Sequence, residues 1–316
     1  MKIITLTPNQ VDATSFYRAW GVFPDIMKRS DITFTDYYDA QMMLGEGKRG
    51  FTWANAMQYD AAFFQRAFGN VIEIAKFMKD CGLKIIYELD DNLWEIPASF
   101  DIKRFYDKDK LSTMVYMLKI SDLVIVSTQA LADYIETAFD VKCEVVNNAI
   151  DLNKYPIQSY NEDGELIWRG SSTHRSDLRQ YREVMEGIDE PMQLWGYDAV
   201  NLEPKLKLKK FTFVKPLDPI YYFANLRATK PRGIVTPLVE DVFNACKSNI
   251  AYLEATMAGA ICYSNQWGEF KGKGLNLSEV NKKNHKEAHE IAVDDVKNNY
   301  SLKMANDKRI DLIKSL

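Results

Sequence analysis

Four cysteines and three histidines in 316 residues leave little material for redox or metal chemistry. Cys81, Cys143, Cys246 and Cys262 show no CxxC spacing, and three histidines do not assemble a zinc constellation, so reduced structural thiols and no metal are expected. No apolar run approaches the roughly 20 residues that a membrane helix requires. The opening Met1-Lys2-Ile3-Ile4-Thr5-Leu6 reaches Pro8 too soon for a signal peptide, and a cytoplasmic location is the expectation. No GxGxxG follows the first strand candidate, which removes the fingerprint of dinucleotide-dependent oxidoreductases and epimerases. Short-period repeats, heptads and low-complexity segments are missing as well. The net charge of only -4 speaks against coating nucleic acid through bulk electrostatics. Residues 1–155 hold 17 Lys and Arg against 22 Asp and Glu, and residues 156–316 hold 23 against 22, so a polyanionic partner would have to be met by local patches.

What is present is a chain 47% hydrophobic and 12% aromatic, able to bury a large core and long enough for two domains. Short apolar, β-branched runs alternate with stretches of helical period, the pattern of βα units on parallel sheets. In the first half the strand candidates are Lys2–Leu6, Ile32–Tyr37, Ala61–Gln65, Lys84–Leu89, Leu123–Ser127 and Glu144–Asn147. Helix candidates there are Phe16–Lys28, Val71–Lys79, Asp109–Lys119 and Gln129–Phe139. Turn chemistry without apolar period at Asp151–Gly164 marks a linker. The rhythm restarts with strands at Leu166–Arg169, Met192–Trp195, Phe211–Val214, Gly233–Thr236 and Ala260–Tyr263, and helices at Asp177–Glu186, Pro219–Leu226 and Cys246–Met257. Two α/β domains follow, each a Rossmann-like doubly wound sheet: residues 1–155 and 156–316. The lysine-rich end after Asn281 reads as helix, with packing back on the first domain as an option.

In such sheets ligands bind beyond the carboxyl ends of strands, where helix N-termini attract anions. Three loops stand there. Trp168-Arg169-Gly170-Ser171-Ser172-Thr173-His174 offers backbone N–H groups, hydroxyls and one fixed charge to a phosphate, or is an ordinary capped connection. Thr236–Ala245 leads into Cys246–Met257, where Lys247 and Glu254, seven residues apart, would share one helix face with Ala251 and Ala258 between and beyond them. A nucleoside diphosphate fits that stripe, Lys247 meeting the diphosphate and Glu254 the ribose hydroxyls; a solvated helix face is the plain alternative. Tyr87-Glu88-Leu89-Asp90-Asp91-Asn92-Leu93-Trp94 places two carboxylates at a strand end, for a base, a metal or a cap. In extended chain the neighbours point apart, so one of them would face a ligand.

Taken in order, Tyr-Glu-Leu-Asp-Asp-Asn-Leu-Trp (87–94), Ser-Asp-Leu-Val-Ile-Val-Ser-Thr (121–128), Asn-Ala-Ile-Asp (148–151), Arg-Gly-Ser-Ser-Thr-His (169–174) and Pro-Leu…Phe-Asn-Ala-Cys-Lys-Ser…Glu…Gly (237–259) resemble retaining GT-B glycosyltransferases. The similarity is to the compact family 4-like versions of phages and bacterial polysaccharide clusters. It implies two Rossmann-like domains facing a central cleft and transfer of a sugar from a UDP-sugar co-substrate, with no tightly bound cofactor and no metal. By the same resemblance Lys247, Ser248 and Arg169 contact the donor diphosphate, Gly170, Ser171 and Ser172 lie near it, and Glu254 holds the ribose. Tyr17, Arg18 and Arg66 match acceptor-side positions facing the cleft, and Asp90 or Asp91 offers the catalytic carboxylate. Two positions depart from the pattern: Cys246 stands where many relatives carry a second glutamate, and Thr7–Ser15 replaces a glycine-rich loop.

The acceptor has three expected classes, the least favoured being a protein or a small molecule. A hydroxymethylated pyrimidine in phage-type DNA leads, with basic clusters at Lys103, Arg104, Lys108 and Lys110 and at Lys205, Lys207, Lys209 and Lys210, and with base extrusion to reach a cleft. A cell-surface polysaccharide or lipid-linked glycan follows. A non-catalytic nucleotide-sugar-binding module is the rival from another class.

Overall fold

The structure, a computed structural model, describes residues 1–7, 12–37, 52–170, 174–196, 206–208 and 210–316. Residues 8–11, Ser171, Ser172, Thr173, Lys205 and Lys209 of the sequence-based candidates therefore lie outside the described residues. The chain divides into two compact units, one of Met1–Trp94, Tyr106–Asn147 and Lys303–Leu316, the other of Glu95–Phe105 and Asn148–Leu302.

In the first unit, strands β1 (Lys2–Leu6), β2 (Thr33–Asp36), β3 (Ala61–Gln65), β4 (Lys84–Leu89), β5 (Leu123–Val126) and β6 (Glu144–Val145) form one sheet in the order β2-β1-β3-β4-β5-β6. Every pairing is parallel. Parallel strands are covered on both faces, which is why Ile3, Ile4, Ile85, Ile86, Val124 and Ile125 read as continuous apolar runs and are buried together. Helices α1 (Ala13–Arg18), α2 (Phe23–Arg29), α3 (Trp53–Ala56), α4 (Val71–Asp80), α5 (Lys108–Ile120) and α6 (Gln129–Phe139) lie along this part of the chain. The side chains of Asp12, Asp107 and Thr128 cap α1, α5 and α6 by accepting from backbone N–H groups in the first turn.

The second unit carries β7 (Leu166–Arg169), β8 (Met192–Trp195), β9 (Phe211–Val214), β10 (Gly233–Thr236), β11 (Ile261–Ser264) and β12 (Leu275–Asn276), in the order β12-β11-β10-β7-β8-β9 and again all parallel. Its helices are α7 (Arg175–Gln180), α8 (Arg182–Glu186), α9 (Pro219–Thr229), α10 (Val242–Ala245), α11 (Ile250–Met257) and α12 (Lys286–Asn299). Trp168, Leu178, Met185, Leu194, Val235, Ile261 and Tyr263 make one core. A last helix, α13 (Leu302–Lys314), runs into the first unit, where Asn306 donates to Asp25 Oδ2 at 2.8 Å and to the Val22 carbonyl at 3.1 Å. No described helix is long and apolar enough to cross a membrane.

The strand order places a topological switch between β7 and β10, because β8 and β9 extend the sheet one way from β7 and β10 to β12 the other. A crevice at the carboxyl ends of those two strands is where such a sheet takes its ligand. In the first sheet the corresponding reversal lies between β1 and β3.

Three helices differ from the sequence reading. Phe16–Lys28 is two helices, parted at Gly21, where a Cβ would lie 1.9 Å from the Phe16 carbonyl oxygen, and Pro24 opens α2. Asp177–Glu186 is parted at Tyr181 into α7 and α8. Of Cys246–Met257 only Ile250–Met257, α11, is helical, and the short helix α10 lies before it in the expected loop Thr236–Ala245. Asp241 caps α10 by accepting from the Asn244 N–H, whereas Asn249 precedes α11 with no side-chain cap bond.

Candidate active site

The carboxyl end of β7 is shaped by two glycines. Gly170 donates its N–H to the Trp195 carbonyl at 3.1 Å, and a Cβ on Gly170 would lie 2.8 Å from the Trp168 ring and 2.9 Å from His174. Gly196, at φ +80, leaves no room either, since its Cβ would stand 2.7 Å from the Gly170 carbonyl oxygen. Held at this strand end, Arg169 reaches Glu254 of α11, Nε to Oε2 2.8 Å, with side chains 24% and 4% exposed. Tyr222 of α9 donates its hydroxyl to the same Oε2 at 2.7 Å. Burial, and then the Glu254 charge, push that phenol well above its ordinary range, so it stays a donor. The Trp195 ring meets Tyr222 edge-on with centroids 5.7 Å apart.

The loop after β10 is organised from α7. Asp177, fully buried, accepts from the Val239 N–H at 2.8 Å and from Asn244 Nδ2 at 3.1 Å. Asn265, after β11, accepts the Leu238 N–H at 3.0 Å. The other oxygen of Asp177 lies 2.7 Å from His174 Nδ1. Burial and the nearby Lys247 charge lower the His174 pKa, so the ring is neutral near pH 7. Lys247 itself sits in the turn between α10 and α11, its Nζ 4.7 Å from the Phe243 ring centroid. Ser248 accepts from Asn148 Nδ2 at 2.7 Å.

The expected open stripe along one helix is therefore corrected. Lys247 precedes α11, and Ala251, Glu254 and Ala258 are all buried at 3% exposure or less. Lys247 and Glu254 still border the same strand-end region: Glu254 pairs with Arg169, and the charges of Lys247 and Arg169 both act on His174. Cys246 is buried at 2% exposure, and burial pushes the Cys262 thiol of β11 up to about 12, so Cys262 is not a reactive thiolate.

In the first unit the candidate residues form a second cluster. Arg66, one residue beyond β3, reaches Asp90 Oδ1 with Nε and Asp91 Oδ2 with Nη2, each at 2.5 Å. The two aspartates do not point apart as extended neighbours would. β4 ends at Leu89 and the chain bends, so both turn to one guanidinium. Arg18 departs from a cleft-facing role: its side chain is fully buried, it pairs with Glu88, and it donates to the Val146 carbonyl at 2.5 Å. Tyr17 beside it is 5% exposed.

Of the basic clusters, Lys103 and Arg104 belong to the second unit and Lys108 and Lys110 to the first, Lys110 pairing with Asp107 at 3.2 Å. Lys207 and Lys210 are exposed. Among the described residues no group of three His, Cys, Asp or Glu side chains is placed to hold a metal ion. Sequence reading passed over Tyr222, Tyr106 and the His174–Asp177 pair. The last leaves a trace, a histidine three residues ahead of an aspartate at a helix start, whereas the tyrosines leave none.

No family model matches this chain, and no curated protein matches it in sequence. Solved structures do match. Sucrose-phosphate synthase from Thermosynechococcus elongatus superposes with a TM-score of 0.71 at 10% identity, covering 99% of this chain and 98% of that one. The β-glucosyltransferase of phage T4 gives 0.58 at 14%, covering 99% and 98%. UDP-GlcNAc 2-epimerase from Neisseria meningitidis, bound to UDP-GlcNAc, gives 0.50 at 11% and covers 100% of both chains. With its two parallel six-stranded sheets, in Rossmann-like units, the chain has the GT-B fold of these glycosyltransferases.

Proposed function

We propose that this protein is a glycosyltransferase that moves a sugar from a nucleoside-diphosphate donor, with UDP as the expected nucleotide, to a hydroxyl acceptor. The observation that carries the reading is the Arg169–Glu254–Tyr222 assembly at the switch point of the second sheet, with Lys247 beside it. Arg169 is balanced by Glu254 while Lys247 adds a cation, so the region suits a dianionic diphosphate. In this reading Arg169 and Lys247 stabilise the charge that develops on the leaving diphosphate, and Ser248 and Gly170 border it. Glu254, fixed by Tyr222, accepts from the ribose hydroxyls. Asp90 and Asp91 supply the acceptor side with a carboxylate.

Fold alone does not separate a transferase from an epimerase, since the matched structures include both. The two-carboxylate cluster favours transfer, because an acceptor hydroxyl must lose its proton. For the acceptor, the likeness to a phage glucosyltransferase favours a hydroxymethylated pyrimidine in DNA. The acidic balance of residues 1–155 favours a neutral glycan instead. A non-catalytic nucleotide-sugar-binding module rests on Cys246 alone.

A thermal-shift panel of UDP, UDP-sugars and other nucleotide-sugars tests the donor, since a ligand of the native state raises its stability. UDP release is then measured with water, hydroxymethylated DNA, unmodified DNA and glycans as acceptors. Release stimulated only by hydroxymethylated DNA supports the leading acceptor. Binding without release under every condition leaves the module reading and removes the transferase one.

A further inference from the structure

Arg66 has an unusual backbone for a residue with a side chain. Its φ of +48 lies in the left-handed region that a Cβ disfavours, and such outliers persist where the surroundings over-determine them. Here the surroundings are visible. Gln65 is in register with Glu88, and the Arg66 N–H donates to the Glu88 carbonyl at 3.0 Å, carrying the β3–β4 pairing one residue past β3. The left-handed turn sends the guanidinium across the end of β4, where Asp90 and Asp91 each take one nitrogen at 2.5 Å. The Tyr106 hydroxyl also bonds the guanidinium. From the far side Ser127, just past β5, donates its hydroxyl to the Asp90 carbonyl at 2.8 Å. Three strand ends are thus tied at one point.

The two carboxylates differ. Asp90 is 14% exposed and Asp91 29%. Burial pushes the Asp90 carboxyl up to about 6, with Arg66 opposing and Asp91 and Glu88 adding to it. One guanidinium faces two carboxylates, so at full ionisation the cluster keeps one negative charge in excess.

We propose that Arg66 is a positioning residue, clamping Asp90 so as to aim Asp91 as the proton acceptor for the acceptor hydroxyl, and is not itself an acceptor-binding cation. The inference rests on the transferase reading above. In the step, the acceptor oxygen bonds to the anomeric carbon of the sugar and its proton passes to an Asp91 carboxylate oxygen. The bond from that carbon to the diphosphate oxygen breaks, and its electron pair leaves with the diphosphate.

The test uses the full chain with UDP-glucose as donor and water as acceptor, UDP release being followed against pH, together with carboxyl 13C NMR of Asp90. For Arg66→Ala a kcat loss of about 100-fold is expected, the scale of a misplaced catalytic group, with KM for UDP-glucose held within about twofold. The acid limb of the profile and the Asp90 titration both move to higher pH, because the cation beside the carboxylates is gone. Arg66→Lys, checked by its thermal transition, recovers part of each effect. Unchanged kcat in Arg66→Ala overturns the positioning role, whatever the NMR titration does. So does a KM rise with kcat intact. Full turnover in Asp91→Asn instead sinks the carboxylate assignment, and absence of UDP release by the parent protein with every nucleotide-sugar and acceptor tested sinks the transferase reading beneath both.

Discussion

Each unit places an arginine at a strand end against carboxylate and tyrosine, yet the two assemblies are opposite in residual charge. At the end of β7, Arg169 meets one carboxylate, Glu254, and Lys247 stands nearby as a further cation. Beyond β3, Arg66 meets two carboxylates, and among the described residues the groups that act on it most strongly are Asp90, Asp91 and Tyr106. Burial opposes the Arg66 charge, but Asp90 and Asp91 outweigh it and raise its pKa, so it stays a cation. The first arrangement is suited to receiving an anion and the second to receiving a proton. Similar parts therefore give different chemistry according to how many charges of each sign are gathered.

The largest effect that would break this comparison is on turnover. Lys247→Ala is expected to lower UDP release about 100-fold, the scale for removing one group that stabilises developing charge, and to shrink the thermal shift given by UDP. Asp91→Asn should leave that UDP shift untouched while lowering turnover. Equal loss of UDP binding in both variants would erase the distinction between the regions. Next, Glu254→Ala leaves Tyr222 and Arg169 without their shared acceptor and should cost about 2 kcal/mol of stability, read by denaturant unfolding. It should also raise KM for the donor.

Smaller again is Gly196→Ala, which forces a Cβ against the Gly170 carbonyl oxygen at a positive φ. A loss of about 1 kcal/mol is expected, with no change at the Asp90 NMR signal. The smallest is a pH effect. The folded-state pKa of His174 is lowered by burial and Lys247, so the unfolded chain takes up the proton first and stability falls as pH drops below the unfolded value of about 6.5. His174→Gln should flatten part of that fall in thermal melts between pH 7.5 and 5.5, with His289 adding to the fall through its own lowered pKa and Asp90, raised to about 6, opposing it. An unchanged slope would mean that His174 is solvated and that the donor-side scaffold is looser than its hydrogen bonds indicate.

Much of the fold was legible locally. β1, β3, β4 and β7 to β10 begin and end where apolar runs meet turn residues, and all of them but the exposed edge strand β9 are largely buried, as parallel strands covered on both faces are. Helix interruptions were not legible. The apolar period continues through Gly21 and through Ser248-Asn249 although the backbone does not, because a cap depends on which N–H groups find partners. β12, with two residues, is too short to carry a period.

The candidate site divides the same way. Lys247, Glu254, Arg169, Asp90 and Asp91 stood out because charge at strand ends and small residues around it are visible in one dimension. Arg18 drew attention through the family resemblance and is a buried ion pair with Glu88 instead, since charge in a sequence does not reveal burial. By itself the sequence determined two α/β rhythms, the absence of a dinucleotide fingerprint and the residue types available at the strand ends. Only the tertiary structure decided that Arg169 faces Glu254 and that Arg66 gathers both aspartates. The first pairing follows from α11 packing on β10 and β11, with β10 lying beside β7, and the second from the register of β3 with β4, long-range choices that no local pattern encodes.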